Sequence, residues 1–168
     1  MKKFLNILSD YVNRIIVPIA SVIFIILVLA TITQVVGRYF LKVPMPWTEE
    51  LARFSFIWSV MLGASVLVKS KGHPGVDALT SKLHGIPKLI QEALLAIIII
   101  AVAAVGIVYG IQLVQVTMSQ PSAALNIPYG CIYLSFPVSC IAMIIHELSE
   151  LADLAACGME AREGKEGA

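Results

Sequence analysis

Four long apolar segments, separated by polar links, dominate the pattern of hydrophobic and polar positions in this chain. The segments cover about residues 15–37, 47–68, 89–118 and 128–156. Each is as long as the roughly 20 residues that a helix needs to cross the hydrocarbon core of a bilayer. The pattern therefore predicts an all-α integral membrane protein. It would have one domain of four tilted transmembrane helices over residues 1–157 and a disordered tail over residues 158–168.

Two other stretches predict shorter helices at the membrane surface. Residues 1–14 carry apolar positions at helical spacing, which indicates either an interfacial helix or a continuation of the first span. The polar loop over residues 69–88 carries a second apolar face, formed by Val76, Leu79 and Leu83. We therefore expect short interfacial helices in addition to the four spans.

Prolines indicate where the predicted helices end, start and bend. Pro44 and Pro46 lie in the link between the first two helices and end the first of them. Thr48 follows and is the predicted N-cap of the second helix. Pro137 lies inside the fourth predicted helix, where its missing N–H predicts a kink.

The composition supports a membrane protein and argues against several function classes. The chain is 58% hydrophobic and 14% charged, whereas a soluble domain is about a quarter charged. The net charge of +1, without a basic run interleaved with aromatic residues, does not suggest nucleic-acid binding. The sequence has no phosphate-binding glycine loop and no HExxH or GxSxG motif. We therefore expect neither an enzyme nor a bound cofactor.

The cysteines and histidines do not form a metal or haem motif. Cys131, Cys140 and Cys157 lack CxxC spacing, and we expect them to fill apolar space. His146 is the one histidine on a predicted span, whereas a bis-histidine haem anchor needs two that face each other. A membrane anchor that binds haem for a redox enzyme is thus an alternative function, but the predicted spans provide only one of the two histidine ligands that it would need.

The link between the first two helices carries the candidate docking residues. Five charged side chains lie there within about 16 positions, and charge beside a membrane span is costly unless it is paired. Arg53 lies four residues after Glu49 and three after Glu50, so intrahelical ion pairs are expected. The open alternatives are an ion-pair cluster that joins the two helices, docking to a partner subunit, and direct contact with substrate. The candidate residues are Arg38, Tyr39, Trp47, Glu49, Glu50 and Arg53.

Small residues at four-residue spacing form stripes on three of the predicted helices. Such stripes let two helices approach closely in a membrane. They are Ser55, Ser59 and Gly63 on the second helix, Gly106 and Gly110 on the third, and Ser135 and Ser139 on the fourth. We expect these stripes to be helix-packing faces.

Lysine and arginine are distributed unevenly between the two sides of the predicted bundle. Nine belong to the N-terminus, the middle loop and the tail, whereas Arg38, Lys42 and Arg53 lie on the other side. Because cytoplasmic loops carry the excess of positive charge, both termini are expected in the cytoplasm. The four helix centres are uncharged, which argues against a chain that moves a solute on its own.

Several short motifs follow one another in a defined order along the chain. They are Gly37-Arg38-Tyr39, Pro46-Trp47-Thr48-Glu49-Glu50-Leu51-Ala52-Arg53, Gly72-His73, Val76-Asp77 and Asn126-Ile127-Pro128-Tyr129 with Pro137. Together they resemble the small membrane subunit, the Q-type or DctQ-like subunit, of tripartite ATP-independent periplasmic (TRAP) transporters. The likeness extends over about residues 15–150.

The resemblance implies a non-catalytic subunit in the bacterial inner membrane. It implies that a much larger multi-pass subunit moves the solute by an elevator-like motion driven by a sodium gradient. The small subunit would enlarge and anchor the scaffold of that subunit. A periplasmic substrate-binding protein would deliver an organic acid anion such as a dicarboxylate or sialic acid. The implied partners are these two proteins and membrane lipid, and the alternative is a self-sufficient small homo-oligomeric transporter or channel.

Overall fold

The computed structural model describes residues 2–70 and 86–166 of the chain. Its helices are α1 (Lys2–Val36), which continues into a π-helical turn (Gly37–Leu41), α2 (Pro46–Lys69), α3 (Ile86–Thr117), α4 (Tyr129–Tyr133) and α5 (Ser135–Glu166). Four stretches are long and apolar enough to cross a membrane: Lys2–Leu41, Pro46–Lys69, Leu89–Thr117 and Tyr129–Ala155. The prediction of an all-α chain with four spans is confirmed for the described residues.

The first span is much longer than the sequence analysis predicted. α1 is one continuous helix from Lys2, with Pro18 in its interior. Residues 1–14 were predicted either to lie at the interface or to continue the span, and the structure shows the continuation from residue 2. At 1.5 Å per residue, Lys2–Leu41 is about 60 Å long, roughly twice the thickness of a hydrocarbon core. Part of α1 must therefore project from the bilayer.

α2 and α5 form the centre of the bundle. α1 packs against both of them, while α3 packs against α5 and α4. Ile16, Leu62 and Ala142 lie together in one buried cluster contributed by α1, α2 and α5. Phe54 and Tyr129 make an edge-to-face contact with ring centroids 5.9 Å apart. Because Phe54 precedes Leu62 and Tyr129 precedes Ala142, α2 and α5 run in the same direction.

The fourth predicted helix is divided in two. α4 ends at Tyr133, Leu134 interrupts the helix, and α5 starts at Ser135. The interruption precedes Pro137, which has no N–H to donate to the carbonyl of Tyr133, four residues earlier. The interruption therefore lies in the turn before the proline at which the sequence analysis expected a kink, although Leu134 itself keeps right-handed helical dihedral angles.

The C-terminal end of the chain also differs from the sequence expectation. We predicted that the last helix ends near residue 156 and that a disordered tail follows, but α5 is helical to Glu166. The residues after Gly158 include Met, Ala, Glu and Arg, which have high helix propensity and can extend a helix that is already formed. The interfacial helix predicted around Val76 lies outside the described residues.

Candidate functional site

The loops at one end of the bundle, here called the hairpin end, comprise residues 37–50 and 118–130. The link between α1 and α2 folds back on the π-helical turn, since the N–H of Val43 donates to the carbonyl of Gly37 at 3.1 Å. Lys42 adopts the left-handed conformation with φ 53°. A Cβ on Gly37 would lie 2.9 Å from the Sδ of Met45. Glycine at this position therefore lets the Met45 side chain close over the end of α1.

The start of α2 differs in detail from the sequence expectation. The helix begins at Pro46, whose ring fixes a helical φ at a position that needs no N–H. Thr48, predicted as the N-cap, is instead fully buried inside the first turn. Its hydroxyl donates to the carbonyl of Met45 at 2.7 Å. The expectation of an N-cap at Thr48 was wrong because the preceding proline starts the helix earlier.

Glu50 holds the loop between α3 and α4 against α2. Its side chain is only 8% exposed. One carboxylate oxygen accepts the N–H of Ala124 at 3.0 Å and the other accepts the N–H of Leu125 at 2.9 Å. Hydrogen bonds from backbone amides to an ionised carboxylate are about twice as strong as neutral ones. We call this arrangement the Glu50 clamp, and sequence reasoning did not anticipate its loop partners.

The clamped loop is itself braced by backbone hydrogen bonds. The N–H of Ser122 donates to the carbonyl of Ile127, and the N–H of Tyr129 donates to the carbonyl of Gln120, both at 2.9 Å. Asn126, between these bonds, has φ 58°, a conformation that asparagine tolerates better than most residues. The Asn-Ile-Pro motif thus closes a tight loop, and α4 starts directly after it at Tyr129.

Glu49, next to Glu50, faces outward and pairs within its own helix. Arg53 lies 3.1 Å from Glu49, with the two side chains 54% and 61% exposed. The side chain of Arg38 makes no hydrogen bond or ion pair with any residue that the structure describes. At the hairpin end, an ion-pair cluster that joins α1 to α2 is therefore not found among the described residues.

Arg38 instead lines an open groove at the end of α1. The groove measures about 420 Å³, and Gln34, Lys42, Met45 and Glu49 also line it. Beside it, large apolar and aromatic side chains project outward. They are Tyr39 at 71%, Phe40 at 80%, Leu41 at 60% and Trp47 at 45% exposure. Cationic and apolar surface thus lie side by side here.

The small-residue stripe on α3 lies against α5. A Cβ on Gly106 would lie 3.0 Å from the Sγ of Cys140 and 3.2 Å from the Phe136 ring. A Cβ on Gly110 would lie 3.0 Å from the Phe136 ring and 3.1 Å from Pro137. The two glycines therefore accept the ring of Phe136 into the surface of α3.

The stripes on α2 and α5 divide between the interior and the outside. Ser135 and Ser139 are fully buried and Ser55 is 7% exposed, while Ser59 is partly buried. Gly63 is exposed, and a Cβ there would meet nothing within 4 Å. The last member of the α2 stripe is thus open to a partner outside this chain.

The opposite end of the bundle, here called the terminal end, comprises residues 2–14, 66–70 and 143–155. The hydroxyl of Ser9 and the Nδ1 of His146 share a buried hydrogen bond of 2.8 Å. Asn6 donates to Asp153 at 3.1 Å and accepts from the Ser149 hydroxyl at 2.6 Å. These contacts join the first turns of α1 to α5.

Two ion pairs extend this network at its surface. Lys2 lies 3.4 Å from Asp153, and Lys69 at the end of α2 pairs with Asp10. Sequence reasoning missed the network, although Asn6, Ser9 and Asp10 recur at helical spacing, which is a usable signal. No group of three metal-ligating side chains lies together in the described part of the chain.

Comparison with known proteins gives consistent similarities. The family described as tripartite ATP-independent periplasmic transporters, DctQ component, matches residues 27–157. The sialic acid TRAP transporter small permease protein SiaQ of Vibrio cholerae is 27% identical over 155 residues, 92% of this chain and 85% of that protein. The isethionate TRAP transporter permease protein DctMQ of Oleidesulfovibrio alaskensis is 34% identical over 108 residues.

The relatives differ greatly in length. The aligned region is 63% of this chain but only 17% of DctMQ. The sialic acid TRAP transporter permease protein SiaT of Haemophilus influenzae is 25% identical over 134 residues, 80% of this chain and 22% of that protein. The chain therefore matches nearly all of one relative and about a fifth of two others.

Proposed function

The chain belongs to the DctQ component family of tripartite ATP-independent periplasmic transporters, and we propose that it stabilises a much larger permease subunit as a scaffold. As a small permease subunit of a transporter it is a multi-pass membrane protein, not an enzyme. The larger permease and a periplasmic substrate-binding protein are the partners that the family implies.

The lengths of the relatives carry the scaffold proposal. The same region occurs as a separate small permease protein in SiaQ and as about a fifth of one continuous chain in SiaT and DctMQ. A region that exists both separately and covalently joined to a longer permease sequence is expected to work beside that sequence. The remainder of the long relatives is large enough to contain the transport machinery.

The distribution of exposed surface supports this role. In the most apolar part of the first span 11% of the residues are buried, against 44% in the span over Tyr129–Ala155. The outer faces of α1 and α3 are therefore largely apolar and uncovered by this chain. Such faces are suited to contact with lipid or with a second membrane protein.

We assign subunit docking to two exposed features. The first is the exposed set of Tyr39, Trp47 and the Glu49–Arg53 pair near the hairpin end. Glu50 is not included, because its carboxylate binds the loop of this same chain. On α2, the open position at Gly63 lets a partner helix approach the backbone closely. The other members of the small-residue stripes fill the interior of this chain, so their contribution to assembly is indirect.

The finer features of the transport cycle belong to the same proposal. The larger subunit would import an organic acid anion by a sodium-driven elevator motion, after delivery by the periplasmic binding protein. The names of the relatives mention sialic acid and isethionate, which are both organic acid anions. The excess of Lys and Arg near the termini and middle loop supports cytoplasmic termini and a periplasmic hairpin end, in the bacterial inner membrane.

Co-purification from the native membrane tests the scaffold role. A tagged chain, extracted in mild detergent, should recover a multi-pass membrane protein several times larger in equal amount. The variant Gly63→Leu should lower that recovery, whereas Val102→Leu, on an exposed face of α3, serves as the matched control. Recovery of this chain alone as a defined oligomer would contradict the proposal and favour a self-sufficient transporter or channel.

A further inference from the structure

The groove at the hairpin end has a net positive charge. Arg38 and Lys42 lie one helical turn apart in its lining, and both are exposed. Neither side chain makes a hydrogen bond or ion pair with the residues that the structure describes. The one carboxylate in the lining, Glu49, lies 3.1 Å from Arg53, which balances its charge. The two cations are therefore available to an anion.

Apart from Gln34 and Glu49, the remaining side chains that line the groove are apolar. Val43, Pro44 and Pro46 contribute to its walls. Phe40 and Leu41 follow Arg38 in the π-helical turn and are 80% and 60% exposed. Exposed apolar side chains are more stable in contact with hydrocarbon than with water. Aromatic residues such as Phe40 are typical of the headgroup level of a membrane span. The anion that fits this groove therefore carries apolar groups.

The backbone around the groove departs from regular helix geometry. A π-helical turn spans Gly37–Leu41, and Lys42 follows it in the left-handed conformation. π-helical turns are rare and occur frequently at functional sites, and the left-handed conformation is unfavourable for a lysine. This turn ends α1 so that Lys42 and the following link, rather than a further helical turn, form the groove. The irregular backbone is thus what creates the space.

We propose that this groove binds the headgroup of an anionic phospholipid. Arg38 and Lys42 contact the phosphate, and the apolar walls contact the glycerol and the first acyl carbons. The combination of two unpartnered cations with exposed Phe40 and Leu41 favours a lipid over the acidic surface of a protein partner. The site depends on the membrane location of the chain and not on its role as a scaffold.

Tryptophan fluorescence offers a local reporter for this site. The chain contains two tryptophans. Trp47 lies next to Pro46 in the groove wall and is 45% exposed, whereas Trp58 packs against the core. In a Trp58→Phe background, the full chain is placed in phosphatidylcholine vesicles that contain brominated phosphatidylglycerol or brominated phosphatidylcholine. We expect Trp47 to be quenched by the phosphatidylglycerol with an apparent affinity about tenfold higher.

Variants assign the effect to the two cations. Arg38→Gln/Lys42→Gln should abolish the lipid preference, while Arg38→Lys/Lys42→Arg keeps both charges and should retain it. The matched control Lys3→Gln/Arg14→Gln removes the same charge from exposed positions at the other end of α1 and should also retain it. Circular dichroism of each variant verifies that the helices are formed.

Three results would overturn the proposal. One is equal quenching by the two brominated lipids in the intact chain. Another is equal loss of preference in the control pair at Lys3 and Arg14, which would indicate attraction to the bilayer surface in general. The third is absence of any lipid preference while Arg38→Gln/Lys42→Gln lowers recovery of the larger subunit, which would assign the groove to a protein contact. Failure of co-purification would contradict the scaffold role but leave this lipid measurement unaffected.

Discussion

The two ends of the bundle are held together in different ways. At the hairpin end, one buried carboxylate binds two backbone N–H groups of a loop, through Glu50 to Ala124 and Leu125. At the terminal end, several side-chain hydrogen bonds and ion pairs join α1 to α2 and to α5. The comparison indicates that the polar attachment of this loop to α2 depends on one residue, whereas the polar contacts at the terminal end are distributed over several residues.

The environments of the contacts explain this difference. Removing the Glu50 carboxylate leaves two backbone donors without their partner, and an unsatisfied donor costs more than its hydrogen bond had contributed. By contrast, Lys2 and Asp153 are 51% and 48% exposed. Water can replace either partner of such a pair, so its loss has little effect.

The largest effect is expected from Glu50→Ala. Without the clamp, the loop over residues 118–128 should open, and hydrogen exchange at the Ala124 and Leu125 amides should become about a hundredfold faster or more, because two hydrogen bonds to an ionised carboxylate are lost. Glu49→Ala is the matched control, because it removes the same charge from the adjacent exposed position. Hydrogen-exchange mass spectrometry in detergent micelles measures both variants, and equal protection of the loop in both would contradict the single-residue interpretation.

How far the sequence predicted this site depends on the distance between partners. The four spans follow from the length of the apolar segments, and the Glu49–Arg53 pair follows from four-residue spacing within one helix. The partners of Glu50 lie 74 and 75 residues away, and they are backbone groups that every residue carries. No local sequence pattern distinguishes Glu50, whose carboxylate binds the loop, from the adjacent Glu49.

The terminal end shows the same limit at longer range. Asn6 and Asp153 are 147 residues apart, and their contact exists only because α1 is continuous from Lys2 and reaches the end of α5. Residues 1–14 were predicted as either interfacial or continuing, so the register between the two helices was not determined. Polar residues at helical spacing identify a face but do not identify what covers it.

The next largest effect is expected from His146→Ala at the terminal end. His146 is 4% exposed, so the substitution removes the Ser9 hydrogen bond and leaves a cavity. The free energy of unfolding should fall by about 2 kcal/mol. Equilibrium unfolding in mixed micelles measures it, with Leu148→Ala, 41% exposed on the same helix, as the control. A loss in His146→Ala as small as in the control would show that this contact does not stabilise the end.

A smaller effect is expected where Asn6 meets Asp153. A double-mutant cycle with Asn6→Ala and Asp153→Ala should give a coupling energy of about 0.5 kcal/mol, because water solvates either partner once the other is removed. The cycle needs four unfolding measurements in the same micelles. A coupling well above 1 kcal/mol would mean that this end also depends on a single contact, and the contrast between the two ends would disappear.

The smallest effect is expected from the ion pair between Asp10 and Lys69. Asp10 is 77% exposed and Lys69 is 22% exposed, so the pair is open to solvent and salt on one side. Asp10→Asn should lower the free energy of unfolding by about 0.5 kcal/mol or less, and the difference should vanish in 1 M salt, where the Debye length is about 3 Å. Lys69→Arg keeps the charge and serves as the control. An effect of Asp10→Asn that persists in high salt would indicate a desolvated pair, and the terminal end would then have a buried anchor comparable to the Glu50 clamp.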